Sequence, residues 1–363
     1  MSTPSFNSLA TTLPRLREQL STHFPEAAVQ FIEEVVPPDV LREAICLHTL
    51  YPVNASITGG NQALCVINTQ RINDIRYINK FFESVNEHLA LGGYLIGCVY
   101  PLHVRRQRVL SYLPRPLNKV YYTWDFLIHR VWPKLPRLRR IYFALTKGRG
   151  RVISEMETYG RLFSCGFQWV NSREIDGMIY FVVTKEKAPS YDEEATYGPL
   201  ITLRRVGKGG NIIKVYKMRT MTPYAEYVQK FIFERNGAGG VGTGSKFNND
   251  PRITTLGKFM RRYWLDELPM LYNLLRGDLK LFGVRPISEH YFSLFPEDFR
   301  EYRKKFKPGL IPPVYVEIPS SLEDTVAIER RYLEAYERNP FWTDLRYLCI
   351  ALYNIFIKRV RSC

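Results

Sequence analysis

A two-part α/β protein is what the sequence predicts, and three observations predict it. A strand, a helix and a second strand follow one another in residues 63–100. A polar, turn-rich stretch, "EKAPSYDEEATYG" at 186–198, interrupts the chain past its middle. Beyond it, apolar residues recur at helical spacing among basic ones, so the second part is expected to be richer in helix.

Each element follows from its local pattern. "ALCVIN" from Ala63 is a short apolar run suited to a buried strand. Between Asp74 and Leu91, Ile75, Ile78, Phe81, Phe82, Val85 and Leu89 fall on one helical face. A Gly92-Gly93 turn then leads into the strand "YLIGCVY". A helix is expected around Ser154–Cys165, and "FQWVNSREIDGMIYFVVTKEK" reads as two strands joined by Asp176-Gly177, a hairpin turn. This order resembles the later half of a Rossmann-like methyltransferase. The first half lacks the signature: no GxGxxG-like loop follows an early strand, and "ITGGNQ" at 57–62 is a poor substitute. Residues 1–190 are therefore expected to be a degenerate methyltransferase-like α/β domain, with an insertion at about 113–151. Residues 198–363 form the second domain. Within it, "RNGAGGVGTGSKFNND" at 235–250 departs from the GxxxxGK[ST] order of a phosphate loop and reads as a mobile loop, able to close over a substrate.

Charge narrows the class of partner. The 363-residue chain carries a formal net charge of +16, so its partners are expected to be anionic. From Pro101 to Arg151 thirteen Lys or Arg stand against one acid, Asp125. No nucleic-acid motif accompanies that charge, which points away from nucleic acid. The six cysteines are scattered with no zinc spacing and read as reduced core residues. No run is long and apolar enough to span a membrane, and the first twenty residues lack the apolar core of a signal peptide. A cytosolic or peripheral protein is expected.

The candidate chemistry lies in residues 198–310. Leu256, Phe259, Met260 and Tyr263 share one face of a helix from about Thr255, and Lys258, Arg261 and Arg262 share another. Leu268, Leu271, Tyr272 and Leu275 predict the core stripe of the next helix, with Pro269 tolerated in its first turn. Asp266 therefore stands at or just before a helix N-terminus, where free N–H groups and the dipole favour the ionised form that an attacking carboxylate needs. Adjacent helical residues diverge by roughly 100°, so Asp266 and Glu267 can serve different atoms. Acids in a first turn are also common with no catalytic role, and a basic helix face is often just a solvated one.

"GPLITLRRVGKGGNIIKVYKMRTM", "DPRITTLGKFMRRYWLDELPMLYNLLRGDLKLFGVRP" and "KPGL" occur in this order. Together they resemble the successive motifs of the bacterial sugar transferases, the monotopic phosphoglycosyl transferases. The resemblance implies transfer of a phosphosugar from a nucleotide diphosphate sugar, usually a UDP-sugar, onto undecaprenyl phosphate, at the start of surface polysaccharide or glycan assembly. It makes Asp266 the nucleophile, forming an acyl phosphate, and Glu267 a residue that positions Mg²⁺. Arg261 and Arg285 correspond to the phosphate-contacting arginines, with Lys217, Arg219 and Arg252 as further candidates that could equally be structural ion-pair partners. It also implies a site at the cytoplasmic face of the bacterial inner membrane, held peripherally or monotopically. The chain departs from the family in having Val284 where GPRP is common, in following "KPG" with "LIPPVYVEIP", and in lacking a long apolar re-entrant helix upstream of Gly198.

Residues 117–151 are expected to replace that helix, with Trp124, Phe126 and Trp132 seated at an anionic membrane surface and Arg137, Arg139 and Arg140 on its headgroups. Pro133 and Pro136 should break the segment. The alternative is a basic surface helix with its aromatics packed inward. The C-terminal stripe Leu345, Leu348, Cys349, Leu352, Ile355 and Phe356 predicts an amphipathic helix docked on the core or the membrane. Two other functions are open to such a chain. One is a silent membrane adaptor, against which the presence of both Asp266 and Glu267 argues. The other is a methyltransferase acting on a lipid-linked glycan, which would bind S-adenosylmethionine.

Overall fold

A computed structural model of the chain describes residues 13–52, 62–191, 198–236, 241–242, 246–247 and 250–358. Most of the expected glycine-rich loop at 235–250, most of the linker after 191 and residues 57–61 of "ITGGNQ" lie outside the described residues. The chain divides into two compact units, one formed by residues up to 197 together with 222–231, the other by 198–221 and 232 onward.

The first unit is built on five strands: β1 (Ala44–Leu47), β2 (Ala63–Arg71), β3 (Leu89–Val99), β4 (Phe167–Ile175) and β5 (Met178–Lys185), in the spatial order β1-β2-β3-β5-β4. β1, β2 and β3 run parallel, and β5 pairs antiparallel with both β3 and β4. The near-continuous apolar runs are explained by burial on both faces. Cys65, Ile67, Ile96 and Val182 pack with Phe31 and Ile32 of the helix Glu26–Val35. Val66, Leu95, Phe181 and Val183, alternating with them, are buried as well. Asp176 and Gly177 turn the β4–β5 hairpin with positive φ of 50° and 73°. β3 begins at Leu89, so the Gly92-Gly93 pair lies inside the strand instead of forming the expected turn. The helix before it spans Ile78–His88, shorter than expected.

The basic segment forms the helices Leu117–Phe126 and Pro136–Thr146, with the break between them at Trp132–Lys134 beside Pro133. Its aromatics divide. Trp124 is 58% exposed and Tyr121 45%, whereas Tyr142 is buried and donates from its hydroxyl to the Arg149 carbonyl at 2.8 Å. Phe126 and Trp132 are half-buried; Arg137, Arg139 and Arg140 are exposed.

In the second unit β6 (Leu200–Val206) and β7 (Ile212–Met218) form an antiparallel hairpin. The principal core gathers Phe282, Val284, Phe295, Phe299, Tyr332 and Ile355. The helix Pro340–Phe356 docks on it through Tyr347, Leu348, Ala351 and Ile355, while Leu345, Cys349 and Phe356 face outward, so the expected stripe is split. Among the described residues no helix is long and apolar enough to cross a membrane. Cys65, Cys98 and Cys165 are buried; Cys46 is half-buried and Cys349 exposed.

Two apolar stripes lie largely on the surface, one of them, Leu268 to Leu275, where a core stripe was expected. In the helix Thr255–Arg262, Met260 is buried, but Leu256 and Phe259, with Tyr263 at its end, are about half exposed. Around the helix Met270–Leu275, Leu268, Leu271, Tyr272 and Leu275 are exposed, Leu275 by 87%, and the inward residues are Met270 and Asn273. Helical periodicity marks an apolar face without saying what covers it, and here the core takes the opposite side.

Candidate active site

Asp266 sits in a single 3₁₀ turn, Leu265–Glu267, between those two helices. Three features aim it. Trp264 precedes it in the left-handed region, with φ 54°, a conformation costly for an aromatic residue. Its indole N–H donates to the Tyr315 hydroxyl at 2.9 Å, which anchors the turn. Gly257 lets the preceding helix lie directly against β7's end: a Cβ there would meet the Thr220 carbonyl oxygen at 2.0 Å. From that helix Arg261 reaches back, its Nε donating to Thr220 Oγ1 at 3.0 Å.

On the far side, Asn273 ties the following helix to β7. This fully buried amide donates to the Lys214 carbonyl at 2.7 Å and to Asp278 at 3.0 Å, and accepts from the Tyr216 N–H at 3.0 Å. The tie sets β7 in register with the acidic pair, and Lys217 Nζ donates to Glu267 Oε1 at 2.5 Å. Lys217 and Glu267 line a small cavity of about 70 Å³ together with Arg205, Arg285 and Tyr315. Arg285 is held by its backbone: its carbonyl accepts from Arg303, which is itself locked to Glu329 in a buried ion pair at 2.7 Å. The short strands Lys280–Phe282 and Gly309–Ile311 run parallel, and Gly309 is so close that a Cβ would meet the Gly283 nitrogen at 2.1 Å. This contact joins the "GVRP" and "KPGL" motifs physically.

Asp266 is buried at 9% exposure. Burial, and then the Glu267 carboxylate, push its carboxyl above the ordinary value, while Lys217, Arg261 and the backbone pull it down. The helix start was expected to favour ionisation. The following helix has only six residues, and desolvation outweighs it. The two acids do diverge, since Glu267 turns to Lys217.

Two further candidates are held by other partners, and Arg252 with Asp250 still acts on the charge of Arg261. Arg252 is bound to Asp250 in a buried bidentate pair, with Nη2 and Nε at 2.7 and 2.9 Å. Arg219 donates to the Gly198 carbonyl at 2.9 Å and does not line the small cavity. Conversely, Arg205 and Asn273 were not legible as site residues. Arg205 alternates with exposed Arg204 along β6, and period-two patterning was the available signal. Burial and the neighbouring Arg285 lower the pKa of Arg205.

The acidic pair suits a divalent cation in part. Its oxygen donors fit a hard ion such as Mg²⁺, which usually takes one or two carboxylates and fills its shell from phosphate and water. Among the described residues no group of three or more His, Cys, Asp or Glu could cage a metal alone, so the donor set fits an ion carried largely by a bound diphosphate.

Residues 192–358 match the family described as bacterial sugar transferase. Over 156 residues the chain is 32% identical to the galactosyl transferase CpsE of Streptococcus agalactiae, covering 43% of this chain and 34% of that protein. Over 174 residues it is 34% identical to the undecaprenyl-phosphate galactose phosphotransferase of Salmonella typhimurium, covering 47% and 34%. The exopolysaccharide production protein ExoY of Sinorhizobium fredii is 36% identical over 109 residues, covering 30% and 48%. The chain thus spans between a third and a half of the length of these relatives. Asp266, Glu267, Arg205, Arg261 and Arg285 all fall inside the stretch, residues 192–358, that matches the bacterial sugar transferase family.

Proposed function

We propose that the second unit transfers a phosphosugar from a UDP-sugar to undecaprenyl phosphate through a covalent intermediate on Asp266. The observation that carries this reading is a buried carboxylate at a strained turn, flanked by Lys217–Glu267 and Arg261, with Arg205 and Arg285 converging next to Glu267. An Asp266 oxygen attacks the phosphorus that bears the sugar; the phosphoanhydride bond breaks and UMP leaves. A phosphate oxygen of the lipid acceptor then attacks the same phosphorus, and the acyl-phosphate P–O bond breaks, restoring the carboxylate. Arg205, Arg285 and Lys217 bind the donor phosphates, and Arg261 stabilises charge on the transferring group. Mg²⁺ bound with Glu267 would neutralise the diphosphate that a carboxylate must approach. The relatives' names support the reaction class, since one is named as an undecaprenyl-phosphate galactose phosphotransferase.

Nucleotide release from UDP-sugars in the presence of undecaprenyl phosphate tests the reading; no release from any UDP-sugar would overturn it. Chelating divalent cations is expected to stop turnover, and Glu267→Gln to reduce it by roughly 10- to 100-fold. The same variant has a second signature. Glu267 raises the Asp266 pKa, so removing its charge should move the acidic limb of the kcat/KM profile to lower pH. A limb that stays put would separate the two carboxylates electrostatically.

The lipid acceptor requires a membrane surface, and each unit offers a face for it. In the second unit the exposed stripes through Phe259, Leu271 and Leu275 flank Asp266 in sequence. In the first, Trp124 and Arg137 are exposed on the basic segment. Flotation with anionic liposomes is expected to fall about tenfold for Leu271→Ser/Leu275→Ser at any salt, because apolar burial is not screened. Trp124→Ser/Arg137→Glu should fall comparably at low salt, and high salt should shrink the difference from wild type, at about 1 kcal/mol per basic residue. Wild-type flotation by both variants would place attachment elsewhere.

A further inference from the structure

The first unit contains a cavity of about 600 Å³ that the transferase chemistry does not use. Among the described residues eight Lys or Arg side chains line it, together with Glu83 and Glu157. Its inner wall is unusual. Glu157, 2% exposed, receives three cations: Arg161 at 2.9 Å, Lys134 at 3.2 Å and Arg130 at 3.4 Å. Arg130 and Arg161 are themselves only 5% and 6% exposed. Among the described residues this one carboxylate is shared by three basic groups, so the wall presents more basic than acidic side chains to the cavity. At the rim, Arg76, Lys80, Arg139 and Arg140 are exposed. Arg76 and Lys80 lie over the Tyr77 ring, 5.1 and 5.8 Å from its centroid, and Arg76 also over Phe143 at 5.2 Å.

We propose that this cavity binds a ligand carrying two or more phosphate groups. Guanidinium forks match phosphate oxygens, the charge excess calls for more than one negative charge, and the volume is that of a small-molecule site, too large for one inorganic phosphate. The aromatic side chains at the rim suit an organic moiety attached to the phosphates. Lys134 is pulled down to about 7 by burial and by Arg130, and an anion in the cavity would restore its charge. The ligand is either a soluble phosphorylated molecule or a phosphorylated headgroup, and both present the same chemistry to these side chains. The site is independent of the transferase reading.

Calorimetric titration of the full-length protein with pyrophosphate and with ADP, and flotation with phosphatidylcholine vesicles with or without cardiolipin, whose headgroup carries two phosphates, test this. The wild type is expected to bind at least one of these probes. Lys80→Ala/Arg139→Ala/Arg140→Ala, a variant at exposed rim positions, should weaken that binding about tenfold or more without altering its thermal unfolding. Arg205→Ala/Arg285→Ala alters the phosphate subsite of the second unit and should leave in place the component of binding that the rim variant removes, which separates the two sites. ADP binding that is lost in the rim variant identifies a soluble ligand. Cardiolipin-dependent flotation lost in that variant, with no ADP binding, identifies a headgroup. No binding of any probe by the wild type, or equal binding by wild type and rim variant, would overturn the proposal.

Discussion

Asp266→Asn is expected to abolish nucleotide release, by roughly 10³-fold or more, with the fold intact. An amide has the shape of the carboxylate but neither its charge nor its nucleophilicity. The site should tolerate the change, because the Asp266 carboxyl already resists ionisation through burial and the adjacent Glu267. Removing a charge there relieves a desolvation cost instead of creating one. Unfolding midpoint and far-UV dichroism should therefore match the wild type. The covalent step has its own readout. Incubation of wild type with UDP-sugar alone should leave a phosphosugar adduct on the peptide containing Asp266, and Asp266→Asn should leave none. Turnover by the variant at the wild-type rate would eliminate Asp266 as the nucleophile.

The second large effect is on stability. Glu157→Ala is expected to cost the first unit about 3–5 kcal/mol, because it strands Arg130, Lys134 and Arg161 without their shared counter-charge. For a unit of this size that lowers Tm by roughly 6–20 °C. The pH dependence has a definite sign. Burial pushes the Glu157 carboxyl up, but Lys134, Arg161 and Arg130 together overcome it and hold the carboxyl well below the ordinary range. A depressed carboxylate contributes stability that is fully present above the unfolded-state value of about 4.3 and is lost as pH falls below it. Wild type should accordingly lose stability through pH 4 and below more steeply than Glu157→Ala. Parallel acid-unfolding curves would show that the three cations are held by other partners.

Much of the site could be found in one dimension because its parts are local. Asp266 and Glu267 are adjacent, Arg261 is one helical turn and a half away, and the motifs of 198–310 occur in a fixed order. The rest could not, because its spacing is set by folding. Arg205 and Arg285 are eighty residues apart, and they converge only because β6 and the "GVRP" turn border one cavity. Arg252 looks like its neighbours in the sequence, but only folding shows that its guanidinium is held by Asp250, two residues away, and that the pair acts on the charge of Arg261.

What the sequence determined by itself was the α/β class, the strands β2 to β5 with the helices around them, the helices flanking Asp266, the motif order and the concentration of basic charge before residue 151. These follow from periodicity, turn residues and composition, which act over a few residues at a time. Only the tertiary structure decided which apolar faces are covered. Leu268, Leu271, Tyr272 and Leu275 have the spacing of a core stripe and lie on the surface, because the buried amide of Asn273 fastens the opposite side of that helix to β7. It also decided the protonation bias of Asp266, where desolvation and Glu267 prevail over a short helix, and the gathering of three cations on Glu157. In each case the deciding quantity is burial, which depends on what the rest of the chain places alongside and is not written in any local pattern.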